Sequence, residues 1–271
     1  MNVDEGQIYF LGGGNMVEAM VRGSFLVPSL SVTVIEKKAQ RRQELRKRYP
    51  NIKICDRLNC LLDRHDIIFI GVKPQDVQKA LLDFAPADAL VVSMVSGIRL
   101  KSLNHMIGKD VRIIRMMPNL PCGVKKGVYG LYSGAQVLKE DEVRLENLLS
   151  SSGLCLWLDK EDLLHSVTAL SGSGPGYIFY MMQACFTAAQ TLGVSDEVAK
   201  ILVARAFLGA SSMAESAIET GFEQMQQQVT SPNGTTAAAI EVFEKYQLNQ
   251  IIEKAIKASA LRSEEIGKTV Q

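Results

Sequence analysis

Residues 8–20 read IYFLGGGNMVEAM: a run of large apolar residues that stops at three glycines and resumes with apolar residues three and four apart. The first run has the composition of a buried β-strand, and the second spacing is one face of an α-helix. Gly12 and Gly14 fill the first two places of G-x-G-x-x-G, while Val17 stands in the third. At this junction Gly12 permits a tight turn, Gly14 lets a pyrophosphate approach the backbone, and the start of the following helix favours its negative charge. Asn15 and Met16, which open the helix, join Gly12 and Gly14 as expected cofactor-binding residues. A second apolar run, VTVI at 32–35, ends in Glu36, at the distance expected for an acid that meets the cofactor ribose.

Outward from this unit the alternation continues. IKI (52–54), IIFIGV (67–72), LVVSMV (90–95) and VRIIRM (111–116) read as strands, separated by helical stretches such as KKAQRRQELRKRY and QDVQKALLDFA. Strands that are apolar almost throughout are buried on both faces, which predicts a parallel sheet with helices on either side. VYGLY (128–132) and CLWL (155–158) are expected to add edge strands around a helix at 139–152. After residue 160 the β pattern ends and long helical periods follow. The expected division is therefore a dinucleotide-binding, Rossmann-type doubly wound domain over 1–160 and an all-helical domain over 161–271, large enough for a modest core of its own.

The 271 residues are 47% hydrophobic and 22% charged, with 30 basic and 29 acidic side chains giving a net charge of +1. That near-neutrality supplies no global field for nucleic acid or an anionic membrane. No apolar run approaches the ~20 residues that span a bilayer, and the start MNVDEGQ lacks a signal core, so a cytoplasmic location is expected. Five scattered cysteines without a C-x-x-C pair, and three isolated histidines, indicate neither a disulfide framework nor a metal site. The cysteines are expected to be small buried hydrophobes.

Cofactor choice stays open at this level. The Glu36 carboxylate suits a ribose 2′-hydroxyl and favours NADH, but Lys37, Lys38, Arg41 and Arg42 follow at once and could hold the 2′-phosphate of NADPH. GVKPQ places Val72, Lys73 and Pro74 at the carboxyl end of the fourth strand, where ligands of open α/β sheets bind. RMMPNLP stiffens a loop around Asn119 that is expected to border the nicotinamide, with Lys73 and Asn119 as cofactor-binding residues that help place its ribose and ring.

The stretch VTALSGSGPGYIFY (167–180) first suggests a nucleophile, but a nucleophile elbow needs glycines two before and two after its serine. Ser173 has Ser171 before it, Ser171 has Ala169, and the centred pair flanks Gly174. Pro175 suits the first turn of a helix.

Five motifs in order, FLGGGNM, GVKPQ, RMMPNLP, VTALSGSGPGYIFY and VTSPNGTTAAAIEVFE, closely resemble those of the pyrroline-5-carboxylate reductases across essentially the whole chain. The resemblance implies reduction of 1-pyrroline-5-carboxylate to L-proline by NADPH or NADH, in a homodimer whose helical domains interleave and which can assemble further. It implies that Ser231, Gly234, Thr235 and Thr236 hold the substrate carboxylate. It also implies that Ser171, Gly172, Ser173, Gly174, Pro175 and Tyr180 wall the imine pocket, with Ser171, Ser173 and Tyr180 as the hydroxyls nearest the chemistry. The chain departs from the family's usual Gly at Asn233, Ala at Gly176 and Thr at Leu120. A reductase of another cyclic imine acid and a non-catalytic dinucleotide-binding protein are the alternatives.

Overall fold

The computed structural model describes residues 6–81 and 86–268; the last residues of the expected helix QDVQKALLDFA lie outside them. Eight strands form one sheet in the order β3-β2-β1-β4-β5-β6-β7-β8. They are β1 (Ile8–Leu11), β2 (Val32–Ile35), β3 (Lys53–Cys55), β4 (Ile67–Ile70), β5 (Leu90–Ser93), β6 (Ile113–Met117), β7 (Gly127–Ser133) and β8 (Gly153–Trp157). Every pair is parallel except β6 with β7.

The central strands are buried on both faces, as their unbroken apolar runs require. Phe10, Val34, Phe69 and Val92 enter one core, and their neighbours Tyr9, Leu11, Ile35, Ile68, Ile70 and Val91 enter the other. In the first core Phe10 stacks on Phe69 at 4.8 Å, and Phe25 meets both rings edge-on. Such geometry adds about 1 kcal/mol per pair to the burial itself.

Helices α1 (Asn15–Met20), α2 (Ala39–Arg48), α3 (Val77–Leu81), α4 (Leu100–Ile107) and α5 (Lys139–Leu149) connect the strands. α1 runs directly into a π-helical turn at Val21–Phe25. The expected strands at 67–72 and 90–95 end earlier, at Ile70 and Ser93, because the chain leaves the ladder where it turns toward the carboxyl edge. Lys53–Cys55 replaces 52–54, and the helix expected at 139–152 stops at Leu149.

Beyond the sheet lie α6 (Leu163–Val167), a π-helical turn (Thr168–Gly172), α7 (Gly174–Thr191), α8 (Asp196–Ser216), α9 (Phe222–Gln228), α10 (Thr235–Lys245) and α11 (Leu248–Lys268). Two compact units result: 176–257 is one, and 1–175 together with 258–271 is the other. The end of α11 belongs with the sheet unit. Gly267 lies so close to Gly97 that a Cβ on Gly97 would meet its nitrogen at 2.5 Å, and Ser263 Oγ hydrogen-bonds His165 Nδ1 at 2.9 Å.

The helical unit departs from the expectation of a modest core of its own. Within 176–257 Ala199 alone is buried, while Phe179, Ile201, Leu202, Leu208, Phe222 and Phe243 are exposed. Helices this apolar gain their stability from tertiary packing, so the unit has to be completed by another chain. The cysteines also divide: Cys122 is buried, Cys55 and Cys155 are half-buried, and Cys60 and Cys185 are exposed. For a dimer whose helical core is shared, unfolding is linked to dissociation. The urea midpoint of the helical signal should fall as protein is diluted, in step with loss of dimer by sedimentation. A midpoint independent of concentration would show that the helical unit stands alone.

Candidate functional site

The turn after β1 is held by backbone meeting backbone. Gly12 has φ of 105°, and a Cβ there would lie 2.8 Å from the Gly71 carbonyl oxygen at the end of β4. Gly12 N–H donates to Ile35 C=O, and Gly71 N–H donates to Leu11 C=O. Val17, in the place of the third motif glycine, is accommodated from the other side: a Cβ on Gly71 would come within 2.6 Å of Val17 Cγ2. The glycine that lets helix and strand approach therefore sits on the strand.

Gly14 is the N-cap of α1, no side chain caps that helix, and nothing lies within 4 Å of where a Cβ on Gly14 would be. The first-turn N–H groups of α1 thus face open space. The glycine loop that leads into α1 borders a cavity of about 750 Å³, within the ~300–1,000 Å³ of small-ligand sites, lined by Gly12, Gly13, Gly14, Glu36, Val72 and Lys73, with Lys37, Lys38, Arg41, Asp76 and Lys79 around its polar side. An open glycine cradle beneath a helix start fits a dinucleotide pyrophosphate. Asn15, Met16 and Pro74 adjoin these lining residues in the chain without lining the cavity. Gly13, Asp76 and Lys79 were not anticipated from the motif; the third consecutive glycine was the available signal for the first of them.

Charged groups below the cradle are mutually engaged. Glu36 Oε2 accepts from Gly13 N–H at 3.0 Å and Oε1 from Lys38 N–H at 2.8 Å. Arg41 Nε donates to Gly13 C=O at 2.8 Å, and its other nitrogens pair with Glu18 and Glu44. Burial alone would raise the Glu18 carboxyl, but hydrogen bonds from Arg41, Arg48 and Tyr49 hold it below its ordinary value.

The loop after β6 is braced by Asn119. This buried carboxamide accepts from Val128 N–H at 2.9 Å and donates to Ser171 C=O at 3.0 Å. It ties the β6–β7 connection to the π-helical turn that carries Ser171. Ser171 Oγ donates to Val167 C=O at 2.9 Å, and Ser173 Oγ accepts from Ser259 Oγ at 3.2 Å. Pro175 falls in the first turn of α7, as expected. Gly172 has only ordinary contacts where a side chain would be, at 3.6 Å or more, and Gly174 has open space.

In the helical unit Tyr180 is exposed on α7. Ser231 C=O accepts from Gly234 N–H at 3.0 Å, and Asn233 has φ of 58°, a left-handed conformation that Asn tolerates better than other side-chain-bearing residues. Gly234 is the N-cap of α10 and no side chain caps the helix. Thr235 and Thr236 follow, both exposed. Simple hydroxyl capping is therefore not their use in this structure, and the first-turn donors stay open.

Replacing Asn119 by Ala leaves the Val128 N–H and the Ser171 C=O without their partner. The expected loss is about 2 kcal/mol of stability by denaturant titration, the cost of uncompensated buried polar groups. A loss within about 0.5 kcal/mol would mean that the brace carries no weight.

Residues 161–266 match the family described as "Pyrroline-5-carboxylate reductase dimerisation", and residues 7–97 match that described as "NADP oxidoreductase coenzyme F420-dependent". A pyrroline-5-carboxylate reductase of Pseudomonas aeruginosa is 35% identical over 267 residues, covering 97% of each chain. A solved pyrroline-5-carboxylate reductase from Coxiella burnetii superposes with a TM-score of 0.79 at 32% identity, over 97% of this chain and 98% of that one. A Plasmodium falciparum pyrroline carboxylate reductase, solved with NADP bound, shares the fold with a TM-score of 0.84 at 24% identity, over 98% of this chain and 100% of that one. With the glycine cradle and the helical dimerisation segment in one chain, and a relative this similar along nearly its full length, the chain belongs to the pyrroline-5-carboxylate reductase family.

Proposed function

We infer that the chain reduces 1-pyrroline-5-carboxylate to L-proline with NADH or NADPH, as a homodimer or larger homo-oligomer. The carrying observation is that one chain combines a dinucleotide cavity with an uncapped helix start suited to a carboxylate. When bound, the reduced nicotinamide supplies the hydride. The imine is basic enough to arrive protonated, so its carbon is already electrophilic and no protein acid is required.

Gly12, Gly14, Asn15 and Met16 form the turn and helix start that would hold the pyrophosphate. Glu36 is assigned to the adenosine ribose, and Val72, Lys73 and Pro74 to the nicotinamide end. Thr235, Thr236 and the N–H groups after Gly234 would bind the substrate carboxylate, with Ser231 closing the turn beneath them. Gly172, Gly174 and Pro175 shape the wall that a flat ring approaches. The Ser171 proton is directed to Val167 C=O, which leaves lone pairs on Oγ to accept from an iminium N–H. Ser173 and Tyr180 are the other hydroxyls assigned to the ring. Asn119 acts as a positioning residue through Ser171. Catalysis rests on holding the reacting carbons within ~3.5 Å in the correct orientation.

Among the described residues no helix is long and apolar enough to cross a membrane. All five cysteines are free, which supports a reducing, cytoplasmic setting.

Purified protein should oxidise NADH or NADPH on addition of 1-pyrroline-5-carboxylate. The Thr235→Val, Thr236→Val double variant should raise KM for that substrate by about tenfold and weaken competition by L-proline, with a smaller effect on kcat. Absence of turnover with both nucleotides in folded dimer would refute the activity; an unchanged KM would refute the carboxylate assignment.

A further inference from the structure

The basic cluster after β2 has two conceivable uses: a site for the 2′-phosphate of NADPH, or support for an acid that reads the unmodified 2′-hydroxyl of NADH. The hydrogen bonds separate them. Glu36 is fixed by its backbone N–H, which donates to Cys55 C=O at 3.0 Å, and by the Gly13 and Lys38 N–H groups on its two carboxylate oxygens. Its carboxylate thus stands at the wall of the nucleotide cavity, in the glycine loop itself, and cannot turn aside without giving up both bonds. Each carboxylate oxygen still has a lone pair for a ribose hydroxyl.

The arginines that would welcome a phosphate are engaged elsewhere. Arg42 Nη1 donates to Glu36 C=O at 2.9 Å and to Lys37 C=O at 2.7 Å. Arg41 binds Gly13 C=O while pairing with Glu18 and Glu44, and its side chain is only 19% exposed. Both guanidinium groups therefore tighten the peptide around Glu36. Lys37, Lys38, Lys73 and Lys79 remain as exposed cations around the cavity, but each is a mobile, strongly hydrated ammonium, whereas the Glu36 carboxylate is fixed at the wall that a 2′-phosphate would meet.

We propose that this cavity selects NADH over NADPH, with Glu36 as the specificity-determining residue and Arg41 as a positioning residue for the glycine loop. This assignment rests on the reading of the cavity as a dinucleotide site. Its test is direct binding without imine substrate: titration of NADH and of NADPH into the full-length protein, followed by nucleotide fluorescence. The wild type should bind NADH at least about tenfold more tightly than NADPH. E36S, which frees the carboxylate's place, should shrink that ratio to about one or invert it, chiefly by tighter NADPH binding. Should E36S fail to fold by circular dichroism, E36Q keeps the volume without the charge, and the ratio should move in the same direction. R41A should weaken both nucleotides alike and leave the ratio unchanged.

Wild-type protein that binds NADPH as tightly as NADH, an unaltered ratio in both Glu36 variants, or an R41A defect confined to NADPH would overturn the assignment while leaving the dinucleotide reading intact. Folded protein that binds neither nucleotide would overturn the dinucleotide reading itself, and this assignment with it.

Discussion

The approach of Gly12 to Gly71 is the constraint on which the sheet unit depends. At the end of β1 the backbone must turn while touching the end of β4, and any side chain on Gly12 would occupy the Gly71 carbonyl oxygen's space at 2.8 Å. Gly71 is equally restricted, because Val17 of the first helix already fills the room a side chain would need. With both glycines in place, α1 settles against the sheet and its uncapped start faces the cavity. Glu36 and Arg41 then grip the peptide groups on either side of the Gly13 Cα, one at the N–H and one at the C=O. The glycine cradle is pre-organised by the same contacts that close the fold.

The helical unit is governed by the opposite condition. Where the sheet unit buries both faces of its strands, 176–257 buries only Ala199. The large apolar side chains of α7, α8 and α10 are exposed in the single chain, and the dimerisation family to which 161–266 belongs accounts for them. With the proposed carboxylate site at Gly234–Thr236, folding, assembly and substrate binding would be linked, because that segment starts a helix of the same unit.

The parallel sheet was legible because strands buried on both faces must be apolar throughout, and that demand leaves continuous runs such as IIFI and LVVS. Their ends were less legible. Val72 and Val95 are as apolar as the strand residues, but they follow the last ladder pairs, where side chains meet the cavity or the second core rather than a neighbouring strand. The π-helical turn at Val21–Phe25 leaves no mark in the apolar spacing, since one widened turn barely shifts the period. In the site, the glycines and Glu36 were legible from spacing, whereas the partners of Glu36, Arg41 and Asn119 were not. The longest of those hydrogen bonds join residues 23 to 52 positions apart, and the shorter ones fasten a side chain to a backbone N–H that has no sequence signature. The open start of α10 was signalled by Pro232, Asn233 and Gly234, but only the structure shows that no side chain caps it.

A pyrroline-5-carboxylate reductase moves a hydride onto the carbon of a cyclic imine acid. The most direct measurement of that transfer uses NADH deuterated at both C4 positions, with 1-pyrroline-5-carboxylate as acceptor and mass and NMR spectra of the amino acid formed. L-proline carrying deuterium at C5 is the predicted product. Proline without the label, or consumption of the nucleotide with no proline formed, would contradict it.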